Sequence, residues 1–86
     1  MPYRIEIKRS AVKEIRKLPD SVLPRVMRTI EGLKENPRPA GARKLSGGEE
    51  YRVRVGDYRV VYTIAEEVVT VYIVRVRHRR EVYRRR

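Results

Sequence analysis

The sequence contains no cysteine and a single histidine among its 86 residues. Without cysteine the chain can form neither a disulfide framework nor a thiolate nucleophile, which fits a cytosolic setting. One histidine cannot supply a two-histidine acid/base pair or a Cys and His cluster for a metal ion. We therefore expect no cofactor and no metal ion, so any phosphodiester chemistry would have to be metal-free.

Long apolar segments are also missing. No stretch approaches the ~20 apolar residues of a membrane span, and the first ten residues lack the apolar region of a signal peptide. We expect a soluble cytoplasmic protein that does not use a membrane. A chain of this length predicts one domain, residues 1–86, with a core of one sheet covered on one side by helices.

Acidic residues are scarce relative to basic ones. There are 11 Asp plus Glu against 22 Lys plus Arg, and the formal net charge is +11. This excess indicates a polyanionic partner, most often nucleic acid. Of the basic residues 17 are arginine, the side chain suited to bidentate phosphate contact and to stacking on bases.

Hydrophobic periodicity predicts two helices and four strands. Residues 3–8 alternate apolar and charged side chains, as a half-buried strand does. One helix should follow Ser10 as its N-cap and end before Pro19, and a second should begin near Asp20 or Ser21 with Pro24 in its first turn. After a loop over residues 35–50, strands are predicted at 51–55, 58–65 and 68–76, joined by two-residue turns.

The predicted fold is an α+β domain of order β-α-α-β-β-β. Two N-terminal helices would pack on one face of a four-stranded antiparallel sheet, with the first and second strands as neighbours. Because side chains alternate across a strand, parity assigns each residue to a face. The apolar set expected to meet the helices is Tyr3, Ile5, Ile7, Tyr51, Val53, Val55, Tyr58, Val60, Tyr62, Ile64, Tyr72, Val74 and Val76.

The opposite face of the predicted sheet is strongly cationic. It would carry Arg4, Lys8, Arg52, Arg54, Arg59, Arg75, Arg77 and, if the last strand runs that far, Arg79. The same parity leaves an apolar stripe there, formed by Val61, Val69, Val71 and Ile73. Either the C-terminal tail or a partner protein would cover this stripe, and a slip or bulge of one residue would reverse the assignment.

RNA is a substrate that such a surface can cleave without a metal ion. It brings its own nucleophile, the 2′-hydroxyl, so that the protein need only align it, stabilise the transition state and supply a proton donor. Arginines suit the second task, and His78 and Tyr83 could do acid/base or stacking work. On spacing alone, however, a docking surface is favoured over a catalytic one.

Several motifs together resemble the RelE toxins of the RelE/ParE superfamily. They are "YRIEIKRSAVKEIRKLP", "NPRP", "ARKLSGG", "YRVRVGDYRVVY" and "VRHRREVYR", in that order over nearly the whole chain. The resemblance implies a ribosome-dependent endoribonuclease that cuts mRNA in the A site of the 30S subunit. It also implies a RelB-type antitoxin as the inhibiting protein partner.

The resemblance also implies which residues act. The family's catalytic positions fall on Arg54, Arg59, Arg79 and Tyr83, and we add His78 as a candidate. The tyrosine would stack on the mRNA base, the arginines would stabilise charge, and Arg79 is a candidate general acid. The candidate RNA-binding residues are Arg52, Arg75, Arg77, Arg80 and Lys44.

Position 54 departs from the family pattern. Relatives often have a lysine there that has been assigned as general base, whereas arginine, with a pKa above ~12, can hardly accept a proton at neutral pH. Either Arg54 acts only electrostatically, or the base is another residue, among His78, Tyr83, Glu49 and Glu50. Two further functions stay open: a ParE-like inhibitor of DNA gyrase without catalysis, and an RNA-binding module that cuts nothing.

Overall fold

The computed structural model describes residues 2–78 and confirms an α+β fold with two helices. Its elements are β1 (Arg4–Ile7), α1 (Arg9–Arg16), α2 (Leu23–Gly32), β2 (Arg43–Lys44), β3 (Tyr51–Val55), β4 (Tyr58–Ala65) and β5 (Thr70–His78). Arg79, Arg80 and Tyr83 lie outside the described residues. No helix within residues 2–78 has the length and apolar character needed to cross a membrane.

The sheet has five strands in the order β1-β5-β4-β3-β2, one more than predicted. The extra strand, β2, comes from the loop before β3. Contrary to prediction, β1 does not neighbour β3; it pairs in parallel with β5, with Arg4 opposite Thr70 and Ile7 opposite Ile73. This order gives the long apolar strand β5 a partner along both edges, whereas the predicted order would have left one edge unpaired.

Helix α1 attaches to the edge of β5 through a residue predicted to have another role. Ser10 is not the N-cap, which is Lys8; instead its hydroxyl donates a hydrogen bond to the carbonyl oxygen of Val74 at 2.8 Å. β1 ends opposite Ile73, so α1 continues the cover of the β5 edge beyond that point. Ala11, which is fully buried, faces the core.

Helix α2 begins slightly later than predicted, with Pro24 in its first turn as expected. Its buried residues are Val26 and Ile30, and Leu33 follows at the C-cap, also buried. Met27, an apolar residue next to Val26, is 38% exposed. The inward-facing stripe of the helix is therefore narrower than the apolar pattern suggested.

The inner face of the sheet is as predicted on β3 and β4, where Val53, Val55, Val60 and Tyr62 are buried. On β5 the prediction is partly wrong, because the register shifts at the pair Val61/Tyr62. Val61 lies opposite Arg75 but Tyr62 lies opposite Ile73, so that Val74 is bulged out of the ladder and parity reverses.

As a result of this bulge, Val71 and Ile73 are fully buried in the core while Tyr72 lies on the other face. The predicted exposed apolar stripe therefore does not exist. Val76, beyond the bulge, is buried as expected. The other predicted turn also differs: four residues, not two, separate the paired Ala65 and Thr70.

The turn between β3 and β4 is the predicted two-residue connection, since Val55 pairs with Tyr58. Gly56 has φ +60°, and Asp57 is not among the described residues with positive φ. A positive φ at the first central position alone is the pattern of a type II′ hairpin turn, which favours glycine there. From this turn, all five residues of β3 pair with residues 58–62 of β4 without a shift in register.

The loop after α2 is held against the sheet by polar contacts. The buried hydroxyl of Tyr62 donates to the carbonyl oxygen of Pro37 at 2.7 Å. Arg38 binds Glu66 at 2.7 Å and donates from Nε to the Tyr51 hydroxyl at 3.1 Å, and the Tyr3 hydroxyl donates to Glu66 at 2.8 Å. Arg38, and then Tyr3, lower the pKa of Glu66 by hydrogen bonding to its carboxylate. These contacts hold Pro37 and Arg38 against the sheet, so that the chain after them can join it as β2 (Arg43–Lys44).

Candidate functional site

Three arginines form a row across the centre of the sheet face opposite the core. Arg54 on β3 lies directly opposite Arg59 on β4, which lies directly opposite Arg77 on β5. Directly opposed residues in antiparallel strands have Cβ atoms about 4.5–5.5 Å apart. The row thus holds three cationic side chains within about 10 Å of sheet width.

A second row runs parallel to the first, two residues along each strand. Arg43 on β2 pairs with Arg52, Arg52 with Val61, and Val61 with Arg75. Arg43 was not among the predicted site residues, because its segment was taken as loop. We call the two rows together the arginine face; its members are Arg43, Arg52, Arg54, Arg59, Arg75 and Arg77.

Arg59 occupies the centre of the first row and is only 6% exposed, whereas Arg54 beside it is exposed. An arginine enclosed by neighbours on both sides has few rotamers available, so less conformational entropy is lost when it binds a ligand. Cationic neighbours in opposed positions repel each other. An anion placed across the row would relieve that repulsion, which is typical of a phosphate-binding surface.

Glu14 on α1 anchors the β5 end of the arginine face. Its Oε2 accepts hydrogen bonds from Nη2 and Nε of Arg75 at 2.9 and 3.1 Å and lies 3.6 Å from Nε of Arg77. Its Oε1 accepts from the backbone N–H of Val76 at 2.7 Å. The carboxylate therefore fixes two arginines and the strand edge at once.

The prediction missed Glu14, although the sequence carries a signal for it. Glu14 lies four residues after Ser10, so both project from the same face of α1. Both side chains bind backbone groups of β5, Ser10 at Val74 and Glu14 at Val76. Two polar residues at this spacing on a short amphipathic helix can indicate a helix docked on a strand edge.

His78 does not belong to the arginine rows. Its pairing partner is Tyr58, which is itself opposite Val55, so that the register places it with the core-facing residues. The rings of His78 and Tyr58 meet edge to face, with centroids 5.1 Å apart. Together with Leu18 and Lys17 they line a cleft of about 240 Å³ that Glu14, Val76 and Arg77 complete.

The remaining candidates occupy different positions. Lys44 pairs with Tyr51, which pairs with Tyr62, and so the register puts Arg43 rather than Lys44 in the row of Arg52. Glu49 and Glu50 lie in the connection that precedes β3. Within residues 2–78, no three His, Asp or Glu side chains come together in a group that could hold a metal ion.

Comparison with protein families and with curated proteins places the chain among known toxins. Residues 5–83 match the family model described as "ParE toxin of type II toxin-antitoxin system, parDE". The chain is 37% identical to Toxin RelG of Mycobacterium tuberculosis, covering 99% of this chain and all of that protein. It is 34% identical to the mRNA interferase toxin RelE of Escherichia coli K12, covering 96% of this chain and 92% of that one.

Solved structures resemble the fold over most of its length. A chain of the archaeal RelE-RelB complex from Pyrococcus horikoshii OT3 has a TM-score of 0.81 at 30% identity, covering 92% of this chain and 97% of that one. The isolated RelE toxin of Escherichia coli has a TM-score of 0.79 at 31% identity, covering 94% of this chain and 90% of that one.

Proposed function

Because this chain belongs to the RelE/ParE family of type II toxin-antitoxin toxins, we propose that it is an endoribonuclease that cleaves mRNA in the ribosomal A site. The observation that carries the proposal is the arginine face, with Arg59 enclosed between Arg54 and Arg77. An mRNA interferase named RelE is among its relatives. Cleavage would stop translation.

In this mechanism the 2′-hydroxyl of the mRNA attacks the adjacent phosphorus and the bond to the 5′-oxygen breaks. The products are a 2′,3′-cyclic phosphate and a 5′-hydroxyl, and no metal ion is required. Charge builds up on the non-bridging phosphate oxygens in the transition state, and preorganised donors are worth most where such charge develops. Arg54 and Arg59 would supply that stabilisation, with Arg52, Arg75 and Arg77 holding the flanking phosphates.

The proton donor and the base-stacking residue are assigned from the family resemblance. Arg79 would protonate the leaving 5′-oxygen, and Tyr83 would stack on the base and orient the nucleotide, as the family resemblance implies. Arg54 cannot take the proton of the 2′-hydroxyl, since arginine stays charged at neutral pH. His78, the single histidine of the chain, lies outside the arginine rows. Arg54 would therefore contribute electrostatically, and the ribosome would complete the site.

A RelB-type antitoxin is the proposed protein partner, since related toxins form complexes of that kind. An acidic chain crossing the arginine face would neutralise the charge that the RNA needs. The apolar stripe suggested from the sequence is not its seat, because Val71 and Ile73 are buried. We place toxin and antitoxin in the cytoplasm.

The ends of the cut RNA test the chemistry. Purified protein is added to translating ribosomes with a defined mRNA, and the upstream fragment is treated with a phosphatase that acts only after the cyclic phosphate is opened. A 2′,3′-cyclic phosphate supports 2′-hydroxyl attack. A 3′-hydroxyl on that fragment would contradict it, because that end requires an external water nucleophile.

Inhibition of DNA gyrase is a second candidate function, favoured by the ParE name of the matching family model. Such an inhibitor would work by protein binding without catalysis. A supercoiling assay with purified gyrase separates the two functions. Loss of supercoiling together with intact mRNA on ribosomes would favour the gyrase function.

A further inference from the structure

Two basic cavities share Arg54 at the edge of β3. One, of about 340 Å³, is lined by Gly41, Arg43, Arg52, Val53 and Arg54. The other, of about 330 Å³, is lined by Arg25, Arg28 and Thr29 of α2 with Arg54, Val55 and Gly56. Because β2 pairs only with Tyr51 and Arg52, it leaves the edge of β3 beyond Arg52 uncovered.

The second cavity is built by the hairpin turn as well as by α2. A Cβ at Gly56 would lie 3.3 Å from Nη2 of Arg25, so the guanidinium of Arg25 lies close over the turn. Glycine at this position therefore satisfies the positive φ and also admits the arginine. Arg25 of α2 and Arg54 of β3 therefore line the same cavity at the edge of the sheet.

Both cavities are lined by arginines and contain no acidic lining residue among the described residues. Arg25, Arg28 and Arg54 form no ion pair with a described acidic residue. Guanidinium groups are suited to binding phosphate through two hydrogen bonds at once.

We propose that Arg25, Arg28 and Arg54 form a second binding site, for the sugar-phosphate backbone of RNA, which continues the arginine face around the edge of β3 onto α2. This inference rests on the proposed function in taking RNA as the polyanion. The site offers guanidiniums, a threonine hydroxyl and a turn, while its one valine, Val55, is buried. A protein helix would need exposed apolar anchors, so RNA fits the site better.

The test is the salt dependence of binding to a short single-stranded RNA with a 2′-O-methyl group at every position, measured by fluorescence anisotropy. This RNA cannot be cut by 2′-hydroxyl attack, so binding is separated from catalysis. Each phosphate contact contributes about 0.7 to the slope of log K against log salt concentration. The double variant R25Q/R28Q should reduce the magnitude of this slope by about 1.4. When salt rises from about 50 to 200 mM, the variant should then lose about sevenfold less affinity for the RNA than the wild type does.

The matched control is K13Q/R16Q, which removes the same charge from the last turn of α1. It should keep the wild-type slope, and so should the charge-preserving R25K/R28K. If R25Q/R28Q fails to fold, the single variant R28Q should lower the slope by about 0.7. An unchanged slope in R25Q/R28Q, an equal fall in the control, or no RNA binding by wild type would overturn the inference.

Failure of this inference is distinguishable from failure of the proposed function. If R25Q/R28Q has a reduced slope but the wild type cuts no mRNA on ribosomes, the second RNA-binding site is supported and the proposed ribonuclease function is wrong. If the wild type cuts mRNA but R25Q/R28Q keeps the wild-type slope, the ribonuclease function is supported and the second site is wrong. If R25Q/R28Q binds RNA normally but loses affinity for an acidic antitoxin, the site serves a protein and the inference is wrong.

Discussion

Arg54 on β3 and Arg59 on β4 lie directly opposite each other, and Arg77 on β5 faces Arg59 from the other side. Like charges in opposed positions destabilise a sheet. An anion bound across the row would offset the repulsion between Arg54 and Arg59, while Glu14 already faces Arg77. The arginine face is therefore best understood as a surface suited to binding an anion.

Removing Arg54 should stabilise the free protein while weakening its function. Arg54→Gln relieves repulsion of Arg59, and we expect the free energy of unfolding to rise by about 0.2–1 kcal/mol at low salt. The gain should shrink at high salt because screening weakens the repulsion. Urea unfolding at low and high salt measures it.

The control for Arg54 is Arg4→Gln, which removes an exposed arginine that lies opposite Thr70 and not opposite a cation. Its stability should change little and show little dependence on salt. Equal stabilisation by both substitutions would mean that net charge, and not the opposed pair, is responsible.

Glu14 should contribute to stability through two separable interactions. Glu14→Gln keeps an oxygen for the Val76 N–H but loses the charge facing Arg75 and Arg77, and should cost about 1 kcal/mol. Glu14→Ala also leaves the N–H without its acceptor and should cost about 2–3 kcal/mol. Denaturant unfolding measures both.

An exposed ion pair provides the comparison for Glu14. Glu31→Ala breaks the contact with Lys34, three residues along α2, and should cost no more than about 0.5 kcal/mol. If Glu14→Ala costs as little as Glu31→Ala, the anchoring role described for Glu14 is wrong.

Tyr62 should make the protein sensitive to alkaline pH. Burial raises the pKa of its hydroxyl to about 12. The folded state then holds the proton more tightly than the unfolded chain, where the pKa is about 10. The resulting stability is fully present below about pH 10 and is lost as pH rises toward 12, by up to about 2–3 kcal/mol.

The variant Tyr62→Phe isolates this effect. Near neutral pH it should be less stable than wild type by about 1 kcal/mol, because the hydrogen bond to Pro37 is lost. The difference should narrow and then reverse as pH rises above about 10, since phenylalanine does not titrate. Unfolding curves at a series of pH values check this, and a constant difference up to pH 11 would rule out the pKa shift.

Val69 is strained in the turn between β4 and β5. It has φ +48°, a left-handed conformation that β-branched residues rarely adopt. Val69→Asn should raise the free energy of unfolding by roughly 0.5–1 kcal/mol, because asparagine tolerates this conformation. The neighbouring exposed residue serves as control: Val68→Asn should change stability by less than about 0.5 kcal/mol. Thermal unfolding that ranks the two variants in the opposite order would contradict the strain.

Apart from β2, the helices and strands were predictable from the sequence, since they follow from local patterns. Alternation over β3 and β4, the Gly56 turn and Pro24 near the start of α2 all act within a few residues. The neighbour of β1 was not predictable in this way. It depends on pairing between distant segments, in which the long apolar strand β5 gains hydrogen-bonded partners along both edges. Pairing between β1 and β5 spans more than sixty residues of chain.

Most residues of the arginine face were predicted, but Arg43 at one side of it and Glu14, which anchors the other side, were missed. Arg52, Arg54 and Arg59 follow from parity on two regular strands. The alternation of side chains along β5 cannot reveal the bulge at Val74. Because of this bulge, Val71 and Ile73 lie in the core and not on the opposite face. Arg43 and Glu14 were missed because a two-residue strand and a helix docked on a strand edge leave only short signals in sequence.

The central claim is that the arginine face acts on mRNA held by the ribosome. Primer extension on an mRNA translated in vitro tests it most directly, comparing wild type with Arg59→Ala and with Arg4→Ala as control. We expect cuts within A-site codons, absent without ribosomes, reduced about 10²–10³-fold by Arg59→Ala and unchanged by Arg4→Ala. Uncut mRNA with wild type, or cutting that Arg59→Ala leaves intact, would contradict it.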